Sequence, residues 1–197
     1  MTLLISNENG LRGVIHGHLF EDASAGLPRR LFWNLSLPCH PITWQGESWD
    51  CFVQCDWLHW PLRVWTGLDG ATLSTVGDPA MIECSVYLAA HHPVQIASLC
   101  LKRMGPAARF AVDITGAFDL QGFGDLDAKD ILFAVRGEID FEGIVVVPEH
   151  LTPSPLAPRE VIQALEPHLD SAQLGPPKWD RFRYVLKPAA QAAPPLD

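Results

Sequence analysis

The chain has 197 residues, of which 48% are hydrophobic and 19% charged, and its formal net charge is -9 at pH 7. This composition is typical of a globular domain with a sizeable core, not of a disordered segment. Because acidic side chains outnumber basic ones 23 to 14, we expect neither nucleic acid nor an anionic membrane as a partner. The first residues lack the pattern of a signal peptide and no apolar run is long enough to span a membrane, so we expect a cytoplasmic protein.

Alternating apolar and polar residues predict a series of short β-strands, separated by turns rich in Gly, Pro, Asp and Ser. In chain order these strands are residues 11–20, 31–37, 42–44, 49–54, 81–88, 94–104, 109–120, 131–147 and 179–186. Pro38 and Pro41 should end the second strand, since proline cannot donate to a strand ladder. Residues 158–169 are predicted to form a helix, because their apolar residues recur at helical spacing.

The clearest alternation lies in residues 109–120 and 131–147, which should pair as antiparallel strands with one solvated face. The second run is longer than one average strand, so we expect a turn, bulge or bend at Gly137 or Gly143. The core should form on the side shared by four phenylalanines, namely Phe110, Phe118, Phe133 and Phe141.

These elements predict a mainly β fold, an antiparallel sandwich or barrel with one C-terminal helix packed on it. Residues 1–187 should form a single domain. Residues 188–197 are rich in Ala and Pro, and we expect them to be a disordered tail.

A first candidate site is a divalent-metal site formed by His16, His18 and Glu21. Two histidines at positions i and i+2 of a strand point the same way, and a nearby carboxylate can complete a facial ligand set. With Gly10 six residues before His16, the stretch resembles the first half of the cupin metal motif, which would make these three residues ligands. The stretch departs from that motif because Glu21 comes one residue early and no second half supplies the later histidine. The alternative interpretation is two histidines on the polar face of a strand.

A second candidate combines Cys51, Cys55 and His59, which could bind zinc with help from Cys39 or His40. Their spacing does not wrap around an ion as structural zinc motifs do. Five cysteines, an odd number without a secretory pattern, favour free and mostly buried thiols instead.

A third candidate is the run in which six of the seven tryptophans fall between positions 33 and 65. Tryptophan is enriched at protein interfaces and in ligand grooves, although burial in the core is the common fate of a large aromatic side chain. The predicted contact surface consists of Trp44, Trp49, Trp57, Trp60 and Trp65.

The Gly-rich stretch 119–130 contains Asp125, Asp127 and Asp130, which could hold calcium but are better explained as turn residues. Nucleophile-elbow, P-loop and His-Glu-x-x-His motifs are missing. Three functional hypotheses follow. The leading one is a non-catalytic binding or interaction protein, forming a homodimer and using the Trp-rich region as its contact surface. The others are a cupin-like metal-dependent enzyme and an inhibitor or structural partner of another protein.

Overall fold

The computed structural model describes residues 2–6, 11–44, 46–76, 83–88, 90–118 and 131–189. Strands account for most of the described residues. In these ranges they are β1 (Thr2–Ser6), β2 (Arg12–Asp22), β3 (Leu27–Trp44), β4 (Glu47–Leu58), β5 (Thr72–Leu73), β6 (Glu83–Leu88), β7 (Ala90–Arg103), β8 (Arg109–Phe118), β9 (Ile131–Val146), β10 (Lys178–Asp180) and β11 (Arg183–Leu186). The same ranges contain the helix α1 (Pro158–Leu165) and short 3-10 helices at Trp65–Leu68, Pro148–His150 and Ser171–Gln173.

Seven of these strands close into a barrel. The order is β2, β3, β4, β6, β7, β8 and β9, with antiparallel pairing at each step. The barrel closes where β9 returns to β2, and this pairing is parallel. Strands β1 and β11 also pair with β9, and β10 extends the sheet beyond β11. The predicted mainly β fold with a C-terminal helix is therefore confirmed, with the barrel as its form.

The barrel interior is filled by the apolar side of each strand. On β8 and β9 this side carries the four phenylalanines predicted for the core, which are all buried, namely Phe110, Phe118, Phe133 and Phe141. Burial alternates along each strand because successive side chains point to opposite faces. The same alternation directs the polar residues of β2, including both histidines, to the outside of the barrel.

Two predicted strands are wrong in extent: the second strand runs past its predicted end, and residues 179–186 are divided between β10 and β11. Strand β3 continues through Pro38, which pairs with Phe52, and through Pro41, which lies where the register with β4 shifts between Cys39 and Ile42. Proline is tolerated at such an irregularity. The run after residue 131 is one continuous strand, and the bulge expected at Gly137 or Gly143 lies at Gly143, where the register of β9 with β2 shifts. That glycine has φ +116, and a Cβ there would collide with the carbonyl oxygen of Leu186, so no other residue fits.

The C-terminal part of the chain packs on the barrel through α1, whose Val161 and Leu165 are fully buried. The Glu160 carboxylate accepts the backbone N–H groups of Leu156 and Ala157 at 2.8 and 3.1 Å, which satisfies donors near the helix start. In the described ranges no helix has the length and apolar character needed to cross a membrane. Residues 190–197 of the predicted tail lie outside those ranges.

Candidate functional site

His16 and His18 lie side by side on the outer face of β2, but Glu21 does not join them. One oxygen of the Glu21 carboxylate accepts the Arg29 Nε–H at 2.7 Å, and the other accepts the backbone N–H of Thr152 at 2.9 Å. Although burial opposes it, these hydrogen bonds lower the pKa of Glu21. Among the residues that the structure describes, no three His, Cys, Asp or Glu side chains are grouped so that they could hold a metal ion. The predicted ligand set is thus not brought together.

His18 instead belongs to a group of rings that we call the aromatic–histidine patch. The His18 ring centroid is 5.4 Å from that of His150 and 6.0 Å from that of Trp57. The nitrogens His18 Nε2 and His150 Nδ1 are 3.3 Å apart, so one imidazole donates to the other. The members of the patch are His18, Phe20, Phe32, Trp57 and His150.

Burial first, and then the neighbouring His150, His16 and Arg183, together lower the pKa of His18 to about 4. The pKa of His16 is also lowered, first by burial and then by the charge of Arg183. Both imidazoles are therefore uncharged near neutral pH. A neutral imidazole can accept a hydrogen bond at one ring nitrogen and donate at the other.

Trp57 owes its position to a bulge in β4. Two residues of β4, Asp56 and Trp57, lie opposite the single residue Asn34 of β3, between regular pairs on either side. Trp57 has φ +60, which is unfavourable for a side chain of this size. Its backbone N–H donates to Asn34 Oδ1 at 3.0 Å, while Asn34 Nδ2 lies 3.4 Å from His16 Nε2. Asn34 thus connects the bulge with His16.

A cavity of about 800 Å³ lies between the barrel wall and the C-terminal hairpin of β10 and β11. Its wall includes His16 from β2 and the side chains of Val14, Val145 and Val185. Its charged residues are three cations and two carboxylates, namely Lys178, Arg183, Lys187, Glu142 and Asp180. Cations exceed carboxylates here, although the whole chain carries a net charge of -9. Sequence reasoning found His16 but missed this cavity, because its walls come from segments far apart in the chain.

A second cavity of about 560 Å³ lies on the outer face of β4, β6 and β7. Its lining includes Asp56, Glu83 and His91. Burial raises the pKa of Asp56, against a hydrogen bond from Gln54 that lowers it. With two carboxylates and no lysine or arginine among its described lining, this cavity does not suit an anion.

The cysteines do not form the proposed zinc site. Cys51 and Cys55 are buried, whereas His59 is exposed. Each of the two cysteines instead lies opposite another cysteine of a neighbouring strand, Cys39 for Cys51 and Cys84 for Cys55. The hydrogen bond with Cys84 and burial raise the pKa of Cys55, so its thiol stays protonated and is a poor zinc ligand. The prediction of free and mostly buried thiols is confirmed.

The five tryptophans predicted as one contact surface do not share an environment. Trp60 and Trp65 are buried in the core, and Trp49 and Trp57 are half-buried. The side chain of Trp44 lies outside the described part of the structure, as does the possible calcium stretch 119–130. Among the four whose side chains are described, Trp57 is the one that belongs to the aromatic–histidine patch. No known protein family matches the chain, and comparisons with curated proteins and with solved structures find no significant match.

Proposed function

We propose that the protein is a binding protein whose ligand is a small organic anion, held in the cavity between the barrel and the C-terminal hairpin. The observation that carries this proposal is the concentration of Lys178, Arg183 and Lys187 around one cavity of a strongly acidic chain. The cavity volume of about 800 Å³ is in the range typical of small-molecule sites. The ligand class follows from charge and from the apolar wall together.

Arg183 is the residue most suited to meet the anion. The distance from its Nη2 to Asp180 Oδ2 is 3.5 Å, longer than a strong charge-assisted hydrogen bond. The guanidinium also lies over the Phe182 ring, 5.8 Å from its centroid. A guanidinium has five N–H donors, so the ion pair with Asp180 leaves donors for a ligand. Arg183 and His16 line the same cavity, and the charge of Arg183 lowers the pKa of His16 and His18.

The wall opposite the cations favours an organic anion over a simple inorganic one. Val14, Val145 and Val185 supply apolar surface, and His16 adds an uncharged polar group at the same wall. A ligand with an apolar body and one carboxylate, sulfonate or phosphate would contact both sides. Apolar lining with a few placed polar groups is the general character of small-molecule sites.

The test uses the fluorescent probe 8-anilinonaphthalene-1-sulfonate, which has an aromatic body and one sulfonate. We expect saturable binding that weakens about tenfold in Arg183→Gln, since a hydrogen bond to a charged group contributes roughly 1.5–3 kcal/mol. Lys187→Gln should weaken binding less, because Lys187 is exposed. Lys102→Gln, which removes an exposed cation on β7, is the matched control and should bind as the unmodified protein does.

Benzoate and inorganic phosphate then compete with the probe. Displacement by benzoate at lower concentration than by phosphate supports an organic anion, and the reverse order contradicts it. Equal probe binding by Arg183→Gln, Lys187→Gln and the control would refute the cavity as the site. A rise in salt should weaken binding to the unmodified protein, because the cations lie near solvent.

A second candidate function is a contact with another protein through the aromatic–histidine patch. It is favoured by the left-handed backbone of Trp57, because strained residues concentrate at functional sites. Tryptophan is also common among the residues that dominate binding energy at interfaces. Under this proposal Trp57→Ala abolishes partner binding but leaves probe binding in the cavity unchanged, which separates the two candidates.

A further inference from the structure

Strand β10 forms one end of the described sheet. It pairs with β11 on one side, and the sheet order places nothing described beyond it. All three of its residues, Lys178, Trp179 and Asp180, are exposed. An exposed edge presents backbone N–H and C=O groups that can pair with another strand.

Large exposed apolar side chains gather at this edge. Trp179 is 56% exposed and Phe182, in the turn after β10, is 60% exposed. Leu156 is 81% exposed, and its carbonyl oxygen accepts the Tyr184 hydroxyl at 3.0 Å. The Tyr184 ring centroid is 4.9 Å from that of Trp179, so Leu156 and Trp179 contact the same tyrosine. An apolar group of this kind at an edge strand is typical of an interaction surface.

The charges of β10 identify the partner as a second copy of this chain. Symmetric pairing of two copies about a two-fold axis is antiparallel, and centring it on Trp179 places each Trp179 opposite the other. In that register Lys178 of one copy lies opposite Asp180 of the other, and this occurs twice. Opposite charges at directly paired positions favour a register, and like charges disfavour it.

We propose that two copies of the chain associate through antiparallel pairing of their β10 strands, with Lys178 of each copy opposite Asp180 of the other. The exposed Trp179, Phe182 and Leu156 then become covered at the contact. Because β10 has only three residues, the contact belongs to the small, reversible class of interfaces. Lys178 and Asp180 also line the cationic cavity, so pairing brings charged residues of the second copy to the edge of each cavity.

Charge reversal tests this register by sedimentation velocity without any ligand, from roughly 5 to 500 μM protein. The unmodified protein should change from monomer to dimer over this range. Lys178→Asp should be monomeric, because positions 178 and 180 lie opposite each other in the dimer and would then both be acidic. Asp180→Lys should be monomeric because it opposes lysines to lysines. An equimolar mixture of the two variants should form a heterodimer again, since every opposed pair is once more of unlike charge.

Lys102→Asp is the matched control and should dimerise as the unmodified protein does, and far-UV circular dichroism checks that all variants are folded. Trp179→Ala should shift dimerisation to higher concentration, because it removes the central side chain. An unmodified protein that stays monomeric throughout overturns the proposal. So do single reversals that dimerise normally, or a mixture of the two variants that remains monomeric.

Discussion

Trp65 and Trp179 are similar side chains in opposite environments. Trp65 stands in the Trp-rich run 33–65, and its side chain is 3% exposed. Trp179 stands alone near the C-terminal end of the sequence, and it is 56% exposed. The isolated tryptophan is therefore on the surface, while this member of the crowded run is in the core.

Hydrogen bonding and ring contacts explain this difference. Trp65 Nε1 donates to the carbonyl oxygen of Gln173 at 3.2 Å, and the ring stacks on Phe141 with centroids 5.1 Å apart. The Arg103 guanidinium lies 5.1 Å from the centre of the Trp65 ring. A tryptophan can be buried when its N–H finds a partner, and backbone carbonyls supply such partners. Crowding of tryptophans in a sequence therefore does not by itself identify a surface.

The largest predicted effect is that of Trp65→Ala on the free energy of unfolding. Removal of a fully packed Trp side chain costs about 3–5 kcal/mol, from lost burial and from the cavity left behind. Trp179→Ala should change stability by less than about 0.5 kcal/mol under monomeric conditions, as surface substitutions commonly do. Urea unfolding at low protein concentration measures both values. Equal losses in the two variants would remove the distinction between core and surface tryptophans.

Trp57 lies between these extremes, and its neighbour His18 makes that region sensitive to pH. The pKa of His18 is about 4 in the folded protein against 6.5 as its ordinary value. Between these values the unfolded chain binds the proton more strongly. The free energy of unfolding therefore falls as pH decreases from about 6.5 toward 4. The His18→Gln variant lacks this titration. Over the same pH range its free energy of unfolding should therefore fall less than that of the unmodified protein, by on the order of 1–3 kcal/mol.

Urea unfolding of His18→Gln and the unmodified protein at several pH values between 7 and 4.5 measures this difference. His59→Gln is the matched control, because it removes an exposed imidazole close to the same patch. The control should keep the pH dependence of the unmodified protein. If His18→Gln keeps the same dependence as well, His18 does not have a lowered pKa in the folded protein.

Much of the barrel could be predicted from the sequence because alternation is a local signal. Residues 109–118 alternate strictly, and this placed Phe110 and Phe118 in the core correctly. The parallel pairing of β2 with β9 could not be predicted in the same way. It joins Arg12 to Glu138 across most of the chain, and no short pattern records it.

The candidate site was predictable only in part, for the same reason. The spacing of His16 and His18 correctly indicated neighbours on the outer face of a strand. The partners of His18, Trp57 and His150, come from a bulge and from a 3-10 helix that alternation does not reveal. The spacing made Glu21 a reasonable ligand. In the folded chain, however, its carboxylate accepts hydrogen bonds from Arg29 and Thr152. Distant contacts decided which polar groups remained available.

A smaller loss than those expected for Trp65 and His18 concerns Asn34, which supports Trp57 in its half-buried position. Asn34→Ala removes the acceptor of the Trp57 backbone N–H, and we expect a loss of about 1 kcal/mol in the free energy of unfolding. Asn34→Asp keeps an oxygen at the same place and should lose less, which separates the hydrogen bond from packing. Equal losses in both variants would show that this hydrogen bond does not stabilise the bulge. If the bond does hold Trp57, Asn34→Ala should expose Trp57 and so increase acrylamide quenching of tryptophan fluorescence. Trp60 and Trp65 are buried and should stay protected in both proteins.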